Sequence, residues 1–120
     1  MALLLHALFM VLPNKVDFLH TTIHLKLQDS FMSNEVCEEQ GSYHPKENII
    51  LLDSSIIDKQ NADSAALVWH ELSHVIYYYY GLEKMLQEES VVNAMSNGFV
   101  EILKRNKQFK KWMDVCLSKN

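Results

Sequence analysis

Cysteine is scarce in these 120 residues: Cys37 and Cys116 are the only two, and they form no CxxC pair. Two isolated thiols make no disulfide framework, which excludes the stapled secreted scaffolds and makes a reducing compartment the default. Long apolar runs are missing too, since none approaches the roughly 18 residues needed to span a bilayer. The opening MALLLHALFMVLP lacks the basic start and the small-residue cleavage pattern of a secretory leader, and His6 interrupts it. That stretch is expected to be a buried element, with a leader as the alternative. No internal repeat or low-complexity segment is visible, which excludes repeat arrays and compositional tails.

What is present reads as an ordinary globular chain: 48% apolar, 22% charged, with a net charge of −4. The length predicts a single domain over 1–120 with one core. The charge is uneven. From Lys104 onward there are six Lys or Arg against one Asp, so the first 103 residues carry −9. We read that basic run as a solvated helix face, and neither nucleic acid nor a membrane is an expected partner.

The first half, about 14–60, is strand-rich. VDFLHTTIHLKL, 16–27, is β-branched and aromatic with partial alternation, a strand signal. The polar stretch 28–42 reads as a loop containing a short strand. GSYHPKENIILLD then predicts a hairpin, with a strand at 48–53 paired to residues near 41–44. From residue 61 the period changes. Asn61 or Asp63 can cap a helix that Gly81 ends, over 61–81, and its many apolar positions predict burial on several sides. A second helix is expected from 87 to about 106 and a third, short one through Phe109, Trp112 and Cys116, to about 117. Strands first and helices afterwards predict an α+β fold.

VWHELSHVI lies on the first of these helices. Residues four apart stand on one helical face, a turn from each other, so His70 and His74 can aim both imidazoles at one ion. Glu71 is rotated by about 100° and is poorly placed to join them, but its carboxylate can reach a water held on that ion. His-Glu-x-x-His therefore reads as two zinc ligands and a general base. The motif and its flanks are otherwise uncharged, so both histidines are expected to be buried. The plainer alternative is a pair of satisfied core histidines.

A catalytic zinc takes three protein ligands and keeps one position open. Glu88 and Glu89, at the start of the next helix, are the candidates for the third. Glu89 is preferred because Asn93, one turn further on, can accept the ring N–H of a ligand histidine, whereas Glu88 has Val92 at that offset. The alternative for both acids is an exposed helix start favoured by the helix dipole. His20 and His24 share the spacing of four but sit among β-branched residues. In a strand they would stand about 13 Å apart, too far to share an ion. His44 falls in the hairpin turn. Tyr77 and Tyr78 follow the motif on its ligand side and can serve as packing residues with wet tips or as donors to a developing oxyanion. Met85, Met95 and Met113 read as core filler.

WHELSHVIYYYYGLE, then EESVVNAMSNGFVEILKRN, preceded by the GSYHPKENIILLD hairpin, resembles the small ImmA/IrrE-type zinc metallopeptidases, most of all the short phage-encoded members. The resemblance covers about residues 41–106. It implies a minimal zincin core, a small antiparallel sheet on the active-site helix, with His70 and His74 as Zn2+ ligands, Glu71 as base and Glu89 as third ligand. It also implies a peptide or protein substrate and a cytoplasmic setting in a bacterial host or phage-infected cell. The family's usual Ala-Asn-x-Phe-Ala run is here Val92-Asn93-Ala94-Met95-Ser96, without the aromatic, and no helix-turn-helix segment accompanies the core. Two functions compete: a zinc-dependent peptidase, and a zinc-stabilised interaction module that cleaves nothing. A substrate strand is expected to pair with an exposed sheet edge at 48–53.

Overall fold

The computed structural model describes residues 9–29, 40–85 and 87–118. These form four strands, β1 (Lys15–Phe18), β2 (Thr21–Gln28), β3 (Gly41–His44) and β4 (Ile49–Asp53). Four α-helices follow, α1 (Ser54–Asp58), α2 (Ala62–Tyr79), α3 (Glu88–Arg105) and α4 (Lys107–Ser118), with a 3-10 turn at Leu82–Lys84. The fold is α+β, as the order of elements predicts.

The sheet order is β1-β2-β4-β3. β1 and β2 are antiparallel, as are β3 and β4, with Gly41 opposite Leu52 and His44 opposite Ile49. The central pair, β2 and β4, runs parallel from His24↔Ile49 to Gln28↔Asp53. The sheet is thus mixed where an antiparallel one was expected. Nothing in the 41–53 hairpin's own sequence says which way it docks on β2, so that orientation is a tertiary choice.

Alternation places Val16, Phe18, Ile23, Leu25, Ile50 and Leu52 on one face, each 5% exposed or less, and leaves His24 and Lys26 on the other. Against the apolar face α2 sets Ala65, Val68, Leu72, Val75 and Ile76, a helical stripe that is wholly buried. Ile102 of α3 and Phe109, Trp112 and Cys116 of α4 complete the core. Each fully buried apolar side chain of this size contributes about 1.5–3 kcal/mol relative to exposure. The helices therefore fix α2 firmly on the sheet.

The stretch 16–27 is two strands rather than one. It folds back at Leu19-His20, with Leu19 at φ 54°. A glycine or asparagine would announce such a turn, and a leucine does not. Asn48 takes the left-handed position in the other hairpin, at φ 54°, so β4 begins at Ile49. Its amide donates to Thr21 Oγ1 at 3.0 Å and accepts from the Tyr79 hydroxyl at 2.6 Å, tying both turns to the end of α2.

α1 was not anticipated. Asp53 caps it by accepting from the Ser55 amide at 2.9 Å, so Asp-Ser-Ser was the available signal. Asn61 and Ser64 form a capping box at the start of α2, and Gly81, at φ 62°, follows its end. Gly98 of α3 lies where a Cβ would meet Ile76 at 2.8 Å, so these helices approach closely through a missing side chain. Of the apolar opening, Met10 and Leu12 pack on the core while Phe9 and Val11 are exposed. Met10 is held at both backbone atoms by the Gln60 amide. The short strand expected within 28–42, Cys37 and residues 1–8 fall wholly or largely outside the described residues. No helix among the described residues is long and apolar enough to cross a membrane.

Candidate metal and peptide site

α2 turns one stripe away from the core: Asp63, Ala66, His70, His74 and Tyr77, three or four residues apart, are all exposed. Burial of the helix on several sides was expected from its apolar content, and this stripe is the exception. His70 and His74 are therefore open to solvent, contrary to expectation, and Glu71 is the buried member of the motif at 4% exposure. The uncharged flanks pack away from the histidines, which removes the need for a buried partner for each ring.

The two rings converge. Their Nε2 atoms are 3.3 Å apart, with centroids at 4.9 Å and planes at 78°. A tetrahedral zinc ion with Zn–N near 2.0–2.1 Å holds two nitrogens about 3.3–3.4 Å apart. A direct hydrogen bond, one ring donating to the other, also spans this distance, though 3.3 Å is long for it. As a donor pair, the imidazoles fit a zinc ion.

The third ligand is not assembled with them. Glu88 and Glu89 lie exposed on the first turn of α3. Among the described residues no group of three or more His, Cys, Asp or Glu side chains is placed to hold a metal ion. The predicted trio of His70, His74 and Glu89 is thus two-thirds gathered. The reason lies in how α3 is anchored: its buried positions are Gly98 and Ile102, and none of residues 88–97 is buried. Gln87 makes no side-chain cap either. Among the described residues, the end of the helix that carries Glu89 and Asn93 places no side chain in the fully buried core.

The imidazoles open into a cleft of about 1080 Å³ between α2 and β3. Gly41 forms its wall beside the motif. A Cβ there would stand 3.0 Å from Glu71 Oε2 and 3.0 Å from Leu67 Cδ1, so the strand passes directly against the carboxylate. Tyr43, two residues on and also on the helix-facing side, lines the cleft. Burial of its hydroxyl, then the neighbouring Tyr79 and Tyr78 phenols, push its pKa up, and the ring stays neutral. The edge strand on this side is β3, and β4, where the edge was expected, lies inside the sheet.

The tyrosines divide. Tyr79 and Tyr80 meet Phe18 edge-on, both with centroids 6.0 Å away, and are packing residues. Tyr77 and Tyr78 line the cleft at 45% and 54% exposure. Glu83 lines it as well, from the 3-10 turn, and no spacing rule pointed there. Gly41 and Tyr43 were likewise read as hairpin residues alone. His20 sits in the β1–β2 turn, His24 faces out from β2, and His44 shares a hydrogen bond with Ser42 Oγ at 2.9 Å. Met113 is buried and Met95 partly so, but Met85 is exposed.

Comparison of the chain with known protein families, with curated proteins and with solved structures gives no match. The ImmA/IrrE likeness therefore rests on the motifs quoted above.

Proposed function

We propose that the protein is a zinc-dependent peptidase acting on extended segments of peptide or unfolded protein. The supporting observation is the 3.3 Å approach of two exposed imidazole nitrogens on a helix whose adjacent glutamate is buried against an edge strand. His70 and His74 would hold the ion, with Glu89 as the third ligand once the first turn of α3 closes on the cleft. When bound, zinc supplies a Lewis acid that acidifies water and polarises a carbonyl. Glu71 would accept the proton of the attacking water and return it to the leaving amine. Gly41 keeps that carboxylate in place by leaving room for it, and β3 offers backbone groups to which a substrate strand can add. The setting proposed is the cytoplasm of a bacterial or phage-infected cell.

The competing function is a zinc-stabilised interaction module. A structural zinc needs a closed set of four ligands, and two histidines on an open face beside a cleft do not suit it. Nor does such an ion need Glu71.

Metal content of the purified protein, with His74→Ala as control, tests the ligand pair. Glu71→Gln is expected to keep the zinc and abolish cleavage of an unfolded protein. Undiminished cleavage in that variant rules out the mechanism.

A further inference from the structure

Beyond His74 the cleft changes character. Tyr77 and Tyr78 stand three and four residues further along α2, about 5–6 Å along its axis. After the left-handed turn at Gly81 the chain doubles back, and the 3-10 turn brings Glu83 to the same opening. Leu82, 2% exposed, anchors that turn in the protein. The Tyr78 ring is oriented by edge-on contacts with Tyr43 at 6.2 Å and Tyr79 at 5.2 Å. Glu83 has no part in the ion pairs among the described residues, which are Arg105–Glu101 and Lys110–Asp114.

We propose that Tyr77, Tyr78 and Glu83 form a subsite for a cationic side chain, lysine or arginine, of the bound peptide. This rests on the peptidase reading and adds a substrate class to it. Aromatic faces attract cations through their quadrupole, and a carboxylate in no ion pair among the described residues adds charge of the matching sign, in a cleft that Lys59 also lines. The same three groups disfavour an acidic side chain. An extended peptide advances about 3.3 Å per residue. A subsite roughly 5–10 Å along the axis from the imidazoles, one to two helical turns, thus receives the side chain two or three residues from the bond lying over them.

The test uses zinc-loaded Glu71→Gln protein, in which peptide is expected to bind without being cut. Fluorescence anisotropy compares a labelled, unstructured decapeptide carrying one central lysine with the same peptide carrying glutamine or glutamate there. The lysine peptide is expected to bind roughly three- to tenfold more tightly than the glutamine peptide, the range of an exposed cation–π contact helped by charge. Adding Glu83→Gln should at least halve the lysine preference, leaving the part that the two tyrosine rings supply. Equal affinities for the three peptides, a lysine preference undiminished by Glu83→Gln, or no binding at all overturns the subsite. So does loss of zinc on Glu83→Gln, which would make Glu83 a ligand instead. Failure of the peptidase reading has a separate sign, the absence of zinc that depends on His74.

Discussion

Gly41→Ala separates the site from the scaffold. A methyl group there would sit 3.0 Å from Glu71 Oε2, 3.0 Å from Leu67 Cδ1 and 3.1 Å from Glu71 Cγ, so its neighbours must yield by about 0.4 Å to reach ordinary contact. All three atoms belong to side chains, which can yield without moving α2 or β3. Gly41 is not in the left-handed region, so alanine adopts its backbone without strain. Replacing glycine at such a position gains roughly 0.4–1 kcal/mol by restricting the unfolded chain, which offsets part of the roughly 1–3 kcal/mol that overpacking costs. The net loss is therefore about 1 kcal/mol, a fall in Tm of roughly 3–6 °C for a chain of this size. Under the proposed peptidase function, activity is the more sensitive quantity. A misplacement of about 1 Å costs on the order of a hundredfold, so about 0.4 Å at the base costs roughly five- to tenfold. Zinc content should not change, because the three atoms nearest the added methyl belong to Glu71 and Leu67 and not to either imidazole. The assay is kcat/KM on an unfolded protein substrate beside metal content and thermal unfolding. Unchanged kcat/KM would refute the placement of Glu71 as base. Loss of zinc in parallel with activity would show that Gly41 supports the histidines and not the glutamate.

Gly98→Ala tests the helix contact: its Cβ would meet three side-chain atoms of fully buried Ile76 at 2.8–3.0 Å. Overpacking at about 1–3 kcal/mol outweighs the roughly 1 kcal/mol gained in helix propensity, so urea unfolding should show a net loss of up to about 2 kcal/mol. The loss should shrink in an Ile76→Ala background, and strict additivity would count against the contact. Asn106→Ala removes a side chain that accepts from Asp17 N and donates to Asp17 O, both at 2.8 Å. A loss of roughly 2–3 kcal/mol is expected, and one below about 0.5 kcal/mol would mean that water replaces these bonds. Zinc should slow amide exchange in the first turns of α3 in the wild type and not in Glu89→Ala, whereas Glu88→Ala should respond as the wild type does. No zinc-dependent protection there, or equal loss of it in both variants, removes Glu89 from the ligand set.

What local chemistry decides was legible. Asn61, Gly81 and the hydrophobic period mark α2 to within two residues, and Pro45 with its polar neighbours marks the β3–β4 hairpin. The facing of His70 and His74 follows from their spacing alone. Which side of α2 meets solvent did not follow, because burial depends on what the sheet and the C-terminal helices cover. Apolar content suggested burial all round, and one open stripe was enough to expose both histidines. The parallel docking of β2 on β4, the close pass of Gly41 along Glu71 and the arrival of Glu83 at the cleft are pairings between distant segments, and no window of sequence contains them. Glu89 shows the limit from the other side. Its motif can be read, but where its helix start rests depends on anchors further along α3.

The two edges of the sheet are finished differently, and the difference bears on function. At β1, the Asn106 side chain takes both polar backbone atoms of Asp17. Just past its end, Arg105 donates to Leu19 O at 2.7 Å and Glu101 accepts from Leu19 N at 3.4 Å. The junction of α3 and α4 thus closes that edge, which removes a template for unwanted pairing. The opposite edge, β3, is four residues long and borders the cleft. Short length is itself a protection against aggregation, and it sets the size of any guest. Four residues of added strand cover about 13 Å. Gly41 at one end of β3 lies beside the Glu71 carboxylate, and Tyr43 near the other meets Tyr78. In the proposed reading, one short peptide laid along β3 therefore reaches both the proton acceptor and the cation subsite.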